Sequence, residues 1–374
     1  MKVCTIVGTR PEIIRLSRVI ATFDEMFDHT LVHTGQNYDY ELNDIFFKDL
    51  DLNEPQFYLN CAGPSAAQTI ANVISKTDTI LDKIKPDSVL ILGDTNSCLA
   101  ALSAKKKKIP IFHMEAGNRS FDQRVPEEIN RKIVDHISDI NLPYSTLSRN
   151  NLLSEGIPTD QIIKTGSPMF EVIEYYKGKI EQSSICEQIG VSPKEYFLIS
   201  AHREENIDDD ENFNKLVNLV SNLNTHFGCK VVVSLHPRTR NRLEKIDYSF
   251  NRDIMFMKPF GFTDYLKLQC SARVVLSDSG TITEEASILG FKALNIRHTH
   301  ERPEGMEESA VMMVGLDWER ILKAMYILDR LETSGKHRSE IVSDYHVGNV
   351  SSKIAQLIVS YTSYIKSKIW RSST

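Results

Sequence analysis

Residues 109–131 read IPIFHMEAGNRSFDQRVPEEINR, and this segment decides the fold class. The apolar run 109–112 has the character of a buried strand, and polar residues begin directly after it. In an open α/β sheet, the carboxyl ends of the strands are where ligands bind. Glu115 stands just beyond the strand, and Gly117 lets the backbone turn there at little steric cost. Pro126 opens a helix whose first turn holds Glu127 and Glu128. The helix dipole alone explains acids in a first turn, but a carboxylate that ends an apolar strand needs a partner or a task. Carboxylates from two elements, with Arg119, Arg124 and Arg131 near in sequence, point to paired acid/base groups beside an anionic ligand.

Working outward, 374 residues exceed one ordinary core, so two domains are expected. A hydrophobic content of 41% and a charged content of 25% place the chain among globular proteins. The net charge of -6 and dispersed basic residues argue against general nucleic-acid binding. The one basic run, 105–108, ends a helical pattern, where cations complement the dipole. No apolar segment approaches the ~20 residues of a membrane span. The chain opens on a strand rather than a signal peptide. The six cysteines form no CxxC pair, and Cys4, Cys98 and Cys270 lie among apolar residues as reduced core thiols. A cytoplasmic protein is expected.

Strand-like runs and helical patterns alternate from the start, the signature of a doubly wound parallel sheet. The run 3–7 leads into Gly8-Thr9-Arg10-Pro11-Glu12 and a helix, a turn able to cradle an anion through free N–H groups and Arg10. The run 88–92 ends in Gly93-Asp94-Thr95-Asn96-Ser97. Asp94 could simply cap the helix that follows, but with Glu115 it makes successive strand ends that carry acids. After a Gly-Ser-Pro turn at 166–168 the alternation restarts. The run 196–200 ends in Ala201-His202-Arg203, 230–235 in His236-Pro237-Arg238, and 274–276 in Ser277-Asp278-Ser279-Gly280. The last of these, with Glu284 and Glu285 on the next helix, is patterned like a diphosphate and ribose clamp. His202 and His236 at equivalent strand ends read as functional rather than as core histidines. The expectation is α/β, with Rossmann-like domains over 1–168 and 169–349 facing a cleft. A helix in 350–374 crosses back onto the first domain.

Six ordered motifs then carry a resemblance that spans the chain: GTRPE (8–12), GDTNS (93–97), HMEAG with PEEINR (113–131), AHREEN (201–206), SDSGTITEEA (277–286) and ERPEG (301–305). Their order resembles that of the non-hydrolysing UDP-N-acetylglucosamine 2-epimerases. The resemblance implies two Rossmann-like domains of GT-B type, a UDP-amino-sugar substrate, and inversion at C2 without metal or nicotinamide. A base would remove the C2 proton as UDP departs, and UDP would add back to the glycal as the proton returns to the other face. It implies Asp94, Glu115 and Glu127 as catalytic acids and His202 as catalytic histidine. It also implies Arg10, His236, Ser279, Gly280 and Glu285 as contacts to UDP, and a homodimer.

Two departures refine it. The segment 118–125 is two residues shorter than the family's common pattern, and Asn37-Tyr38-Asp39 replaces a region implicated in activation by UDP-GlcNAc. Both resemble the subgroup that converts UDP-2-acetamido-2,6-dideoxy-L-talose into UDP-N-acetyl-L-fucosamine for capsule or O-antigen synthesis. A UDP-GlcNAc 2-epimerase is the alternative. A GT-B glycosyltransferase, a hydrolysing epimerase and a non-catalytic nucleotide-sugar sensor are the remaining readings. The three acids argue against the first and the last.

Overall fold

A computed structural model describes residues 1–36, 47, 49–122, 125–235, 237–243, 250–299, 301–335 and 340–371. The chain folds as two compact units, Met1–Glu174 with Ser343–Thr374, and Tyr175–Val342. Each is built on a six-stranded parallel sheet.

The first sheet holds β1 (Lys2–Val7), β2 (Asp28–His33), β3 (Phe57–Tyr58), β4 (Ser88–Leu92), β5 (Ile111–Met114) and β6 (Ile140–Leu142) in the order β3-β2-β1-β4-β5-β6. The second holds β7 (Tyr196–Ala201), β8 (Lys230–Leu235), β9 (Ile254–Met257), β10 (Val274–Ser277), β11 (Ala293–Asn295) and β12 (Met312–Met313) in the order β12-β11-β10-β7-β8-β9. Counted within each unit, both orders are the doubly wound 3-2-1-4-5-6. Helices cover both faces of such a sheet, so its central strands read as unbroken apolar runs rather than alternating ones. The run SVLIL of β4 is buried at every position, and YFLISA of β7 at all but one. The α/β class expected from the alternation is therefore found twice.

Local chemistry closes the helices. Ser65 caps helix Ala66–Ile84 by accepting from the Gln68 N–H, and Asp209 caps helix Asp210–Phe227 from the Asn212 N–H. Gly228 ends the latter in the left-handed region. The final helix, Val350–Lys368, packs within the first unit against helix Arg10–Met26. Lys366 Nζ reaches Asp87 Oδ1 at 2.9 Å ahead of β4. Among the described residues no helix is long and apolar enough to cross a membrane.

The strand order reverses direction between β1 and β4 in the first unit and between β7 and β10 in the second. Loops leaving the two strands at such a point run to opposite faces and open a crevice at their carboxyl ends. Asp94 follows β4 and His202 follows β7, each at a carboxyl edge of this kind.

Candidate active site

In the first unit a single buried carboxylate joins the two lips of the crevice. Glu12, in the first turn of helix Arg10–Met26 and 2% exposed, accepts from the Gly8 N–H after β1 and from Thr95 Oγ1 after β4, each at 2.6 Å. Burial pushes its carboxyl up to about 7, against the lowering pull of those bonds, and the Asp94 charge adds to the rise.

Asp94 does not cap the following helix. That role falls to Thr95, whose hydroxyl accepts from the Ser97 N–H. The Asp94 carboxylate instead meets Arg131, Nε to Oδ2 at 2.6 Å, while Asn130 Nδ2 donates to the Asp94 carbonyl at 2.9 Å. Asn130 and Arg131 belong to helix Pro126–Ile137. Glu127 precedes them by three and four residues, so helical geometry puts it on the same face, one turn nearer the N-terminus. Glu128 points elsewhere: buried, it accepts from the Ser120 N–H at 3.0 Å, from Ser120 Oγ at 3.1 Å, and from Arg131 Nη1 at 2.9 Å. Of the two adjacent acids, Glu128 is a structural brace and Glu127 is half-buried in the first turn of the helix.

Glu115 adopts a left-handed backbone, φ 65°, and Gly117 follows at φ 80°. A non-glycine residue holds that conformation only where its surroundings enforce it. Here the enforcement is a buried charge network under the loop. Asp135 accepts from the Gly117 N–H at 3.1 Å and meets Arg119 at 2.8 Å and His113 Nδ1 at 2.9 Å. The other ring nitrogen of His113 faces the Gly93 carbonyl at 2.8 Å, tying β5 to the β4 loop. Burial alone would raise Asp135 and lower His113. The pair of opposite charges wins, holding Asp135 below the usual carboxylate range and His113 above the usual imidazole range. Glu115 Oε1 then accepts from Asn118 at 3.2 Å, and a Cβ on Gly93 would lie 3.6 Å from Glu115 Oε2. The Glu115 carboxylate thus hangs over the residue next to Asp94.

Two of the arginines named as anion partners are otherwise engaged. Arg119 is buried between Asp135 and Glu155, and Arg131 is forked between Asp94 and Glu128. Arg124 lies outside the described residues, as do His236 and Asn37-Tyr38-Asp39. Arg10 begins its helix, half-buried.

In the second unit the buried Asp278 closes the crevice. Its carboxylate accepts from the His202 N–H, the Arg203 N–H and Asn206 Nδ2, each with a contact at 3.0 Å. The His202 ring stands 43% exposed with Nδ1 3.2 Å from Asp278 Oδ1. Ser279 and Gly280 form the turn after β10, with Ser279 Oγ 3.0 Å from Thr281 Oγ1. Glu285 is 6% exposed and accepts from Gln269 at 2.6 Å. Glu284 is fully buried and pairs with Arg302 at 3.3 Å, so it has no access to a ribose. Glu301 stands 3.5 Å from Arg203 Nη2 and 3.4 Å from Arg297 Nη1.

The structural parts of Glu12, Asp135 and His113 leave no local signal in the sequence. Each looked like an ordinary helix or strand residue, and their partners lie 18 to 83 positions away. Asp278 stands out in the sequence only as part of its motif.

Two Rossmann-type units on one chain, each with polar groups gathered at its switch point, define an α/β protein of the GT-B-like class. Within that class the chain belongs to the UDP-N-acetylglucosamine 2-epimerase family, whose family model matches residues 21–359. It is an isomerase of this non-hydrolysing family. The structure of UDP-N-acetylglucosamine 2-epimerase from Rickettsia bellii superposes with a TM-score of 0.92 at 48% identity, over 100% of both chains. The Methanocaldococcus jannaschii UDP-GlcNAc 2-epimerase in complex with UDP-GlcNAc and UDP gives a TM-score of 0.89 at 32% identity, over 96% of this chain and 100% of that one. A UDP-2,3-diacetamido-2,3-dideoxy-D-glucuronate 2-epimerase from Pseudomonas aeruginosa is 32% identical over 365 residues, 96% of this chain and 99% of the relative.

Proposed function

We propose that this enzyme inverts C2 of UDP-2-acetamido-2,6-dideoxy-L-talose to give UDP-N-acetyl-L-fucosamine. One carboxylate takes the C2 proton as the C1–O bond to UDP breaks, leaving a glycal and free UDP. A UDP oxygen then re-forms the bond to C1 while a second acid returns a proton to C2 from the opposite face. Two acids are needed, because a single base would return the proton to the face it came from.

The observation that carries the reading is the grouping in the first unit. Asp94 and Glu115 end neighbouring strands, and Glu127 shares a helix face with the residues that grip Asp94. His202 is assigned as the catalytic histidine and the Ser279–Gly280 turn to the UDP moiety, with Arg10, His236 and Glu285 as further UDP contacts. The shortened segment 118–125 favours the talose substrate, and the Pseudomonas relative supports a family that serves sugars beyond GlcNAc. The second reading, UDP-GlcNAc to UDP-N-acetylmannosamine, is favoured by the description of the 48% identical Rickettsia structure. The product is assigned to surface polysaccharide synthesis and the enzyme to the cytoplasm, as a homodimer whose mass ultracentrifugation would read.

Proton NMR in deuterated water with each UDP-sugar separately tests the function. Deuterium at C2 with formation of the fucosamine product, from the talose substrate alone, is the expected result. Exchange with UDP-GlcNAc alone would transfer the assignment to the second reading. Exchange with neither would overturn the epimerase reading.

A further inference from the structure

In the second unit a fully buried carboxylate stands beneath an exposed histidine ring. Asp278 has no exposed surface, and a buried carboxylate is retained only when its oxygens are satisfied. Here Oδ2 accepts from the His202 N–H, the Arg203 N–H and Asn206 Nδ2, each at 3.0 Å. Oδ1 accepts from the His202 N–H at 3.1 Å and lies 3.2 Å from His202 Nδ1. One carboxylate from the β10 end therefore holds both the backbone turn after β7 and the ring mounted on it. The Asp278 N–H donates to the Ser200 carbonyl at 3.2 Å, fixing the carboxylate to β7 in turn. The ring is solvent-exposed although its anchor is not.

We propose that Asp278 is a positioning residue for His202: it holds the ring proton on Nδ1 and leaves Nε2 as the nitrogen offered to the substrate. An ionised carboxylate can only accept, so in the neutral ring it selects the tautomer with Nδ1–H. Outer partners of this kind fix both the tautomer and the aim of an imidazole. The assignment rests on the epimerase reading only for what Nε2 meets, not for the tautomer itself.

Tautomers are read on ligand-free protein labelled with 15N-histidine, by long-range 1H–15N correlation above the pH at which the ring titrates. The His202 signals are identified by their loss in His202→Asn. Wild-type His202 is expected to be protonated on Nδ1 with a bare Nε2, and a predominant Nε2–H form would overturn the proposal whether or not any variant folds. Asp278→Asn, if it folds, should shift His202 toward Nε2–H. It should also lower kcat by about 10- to 100-fold, with KM changed by less than about threefold. A folded Asp278→Asn enzyme with wild-type kcat would overturn the positioning role. Absence of C2 exchange in the wild type would sink the epimerase reading while leaving the tautomer result standing.

Discussion

Arg131 Nε stands 2.6 Å from Asp94 Oδ2, while Nη1 of the same guanidinium stands 2.9 Å from the buried Glu128. One cation thereby joins a structural carboxylate to a candidate catalytic one, and its removal should be felt in both roles. Arg131→Met leaves Glu128 buried with Ser120 still donating to it. Breaking a buried pair from one side costs about 3 kcal/mol or more, to be read from the urea midpoint. Turnover should fall along with it, because the Asp94 carboxylate loses its guide. Wild-type stability in Arg131→Met would mean that the fork holds nothing in place.

The acids themselves give a sharper kinetic signal. Asp94→Asn and Glu115→Gln each keep the shape of the side chain and lose its proton chemistry, so kcat should drop by at least about 100-fold. Their melting temperatures should stay near that of the wild type. The measurement is C2 deuterium exchange followed over time, and near-normal exchange in either variant removes that residue from the proton transfers.

Glu12 makes pH dependence a test of the switch-point clasp. Its folded value of about 7 lies above the ordinary 4.5, so between those pH values the native state keeps a proton that the unfolded chain has lost. Stability from this group therefore falls as pH rises through the window, by about 3 kcal/mol in all. Glu12→Gln cannot titrate, so its stability relative to wild type should improve from pH 5 to about pH 7 and then level off. Parallel stability curves for the two proteins would show that Glu12 enters the fold already ionised.

The fold was legible because its signals are local. Apolar runs such as 88–92 and 109–112, each followed by a glycine turn and a helical pattern, name a parallel sheet on sight. Asp94, Glu115 and His202 were legible for the same reason, being polar residues placed where an apolar strand stops. What could not be read is what holds them. The partnerships Glu12–Thr95, Arg131–Asp94 and His202–Asp278 span 83, 37 and 76 positions, and exist only once the strand order has brought the loops together. Arg119 shows the converse error. In sequence it is a cation near acids and a fair anion ligand, while in the fold it is neutralised by Asp135 and Glu155. The two switch points also use the same device from opposite sides. The first carboxylate reaches from the β1 side to the β4 loop, and the second from the β10 side to the β7 loop.

Gly117 tests whether the Glu115 loop has room to move. Its φ is 80°, and a Cβ there would sit 2.2 Å from the Ser148 carbonyl oxygen, a backbone atom that cannot swing aside. Gly117→Ala should therefore cost at least about 2 kcal/mol and displace Glu115. Gly156, at φ 86° with nothing within 4 Å, is the control: Gly156→Ala carries backbone strain alone, about 1 kcal/mol. Equal losses in the two variants would show that the contact with Ser148 relaxes.

The network under that loop should reveal itself through the sign of its pH dependence. His113 is raised above the ordinary 6.5 despite its burial, and Asp135 is lowered despite its own. A raised histidine adds stability that is complete below its unfolded value and is lost as pH rises through the folded one. A depressed carboxylate adds stability present above its unfolded value and lost only in acid. Both contributions are therefore in force near pH 5.5, and the histidine's share declines as pH rises through its raised folded value. Asp135→Asn strips the carboxylate from His113 and Arg119 and leaves two buried cationic groups with less to neutralise them. A loss of about 3 to 5 kcal/mol is expected at pH 5.5, where a buried His113 facing an amide would have to give up its proton to fold. At pH 8.5 the gap between wild type and variant should be narrower, because the His113 share falls as pH rises through its raised folded value. Urea midpoints at the two pH values decide it, and a gap that widened with pH would mean that His113 is neutral throughout in the native enzyme.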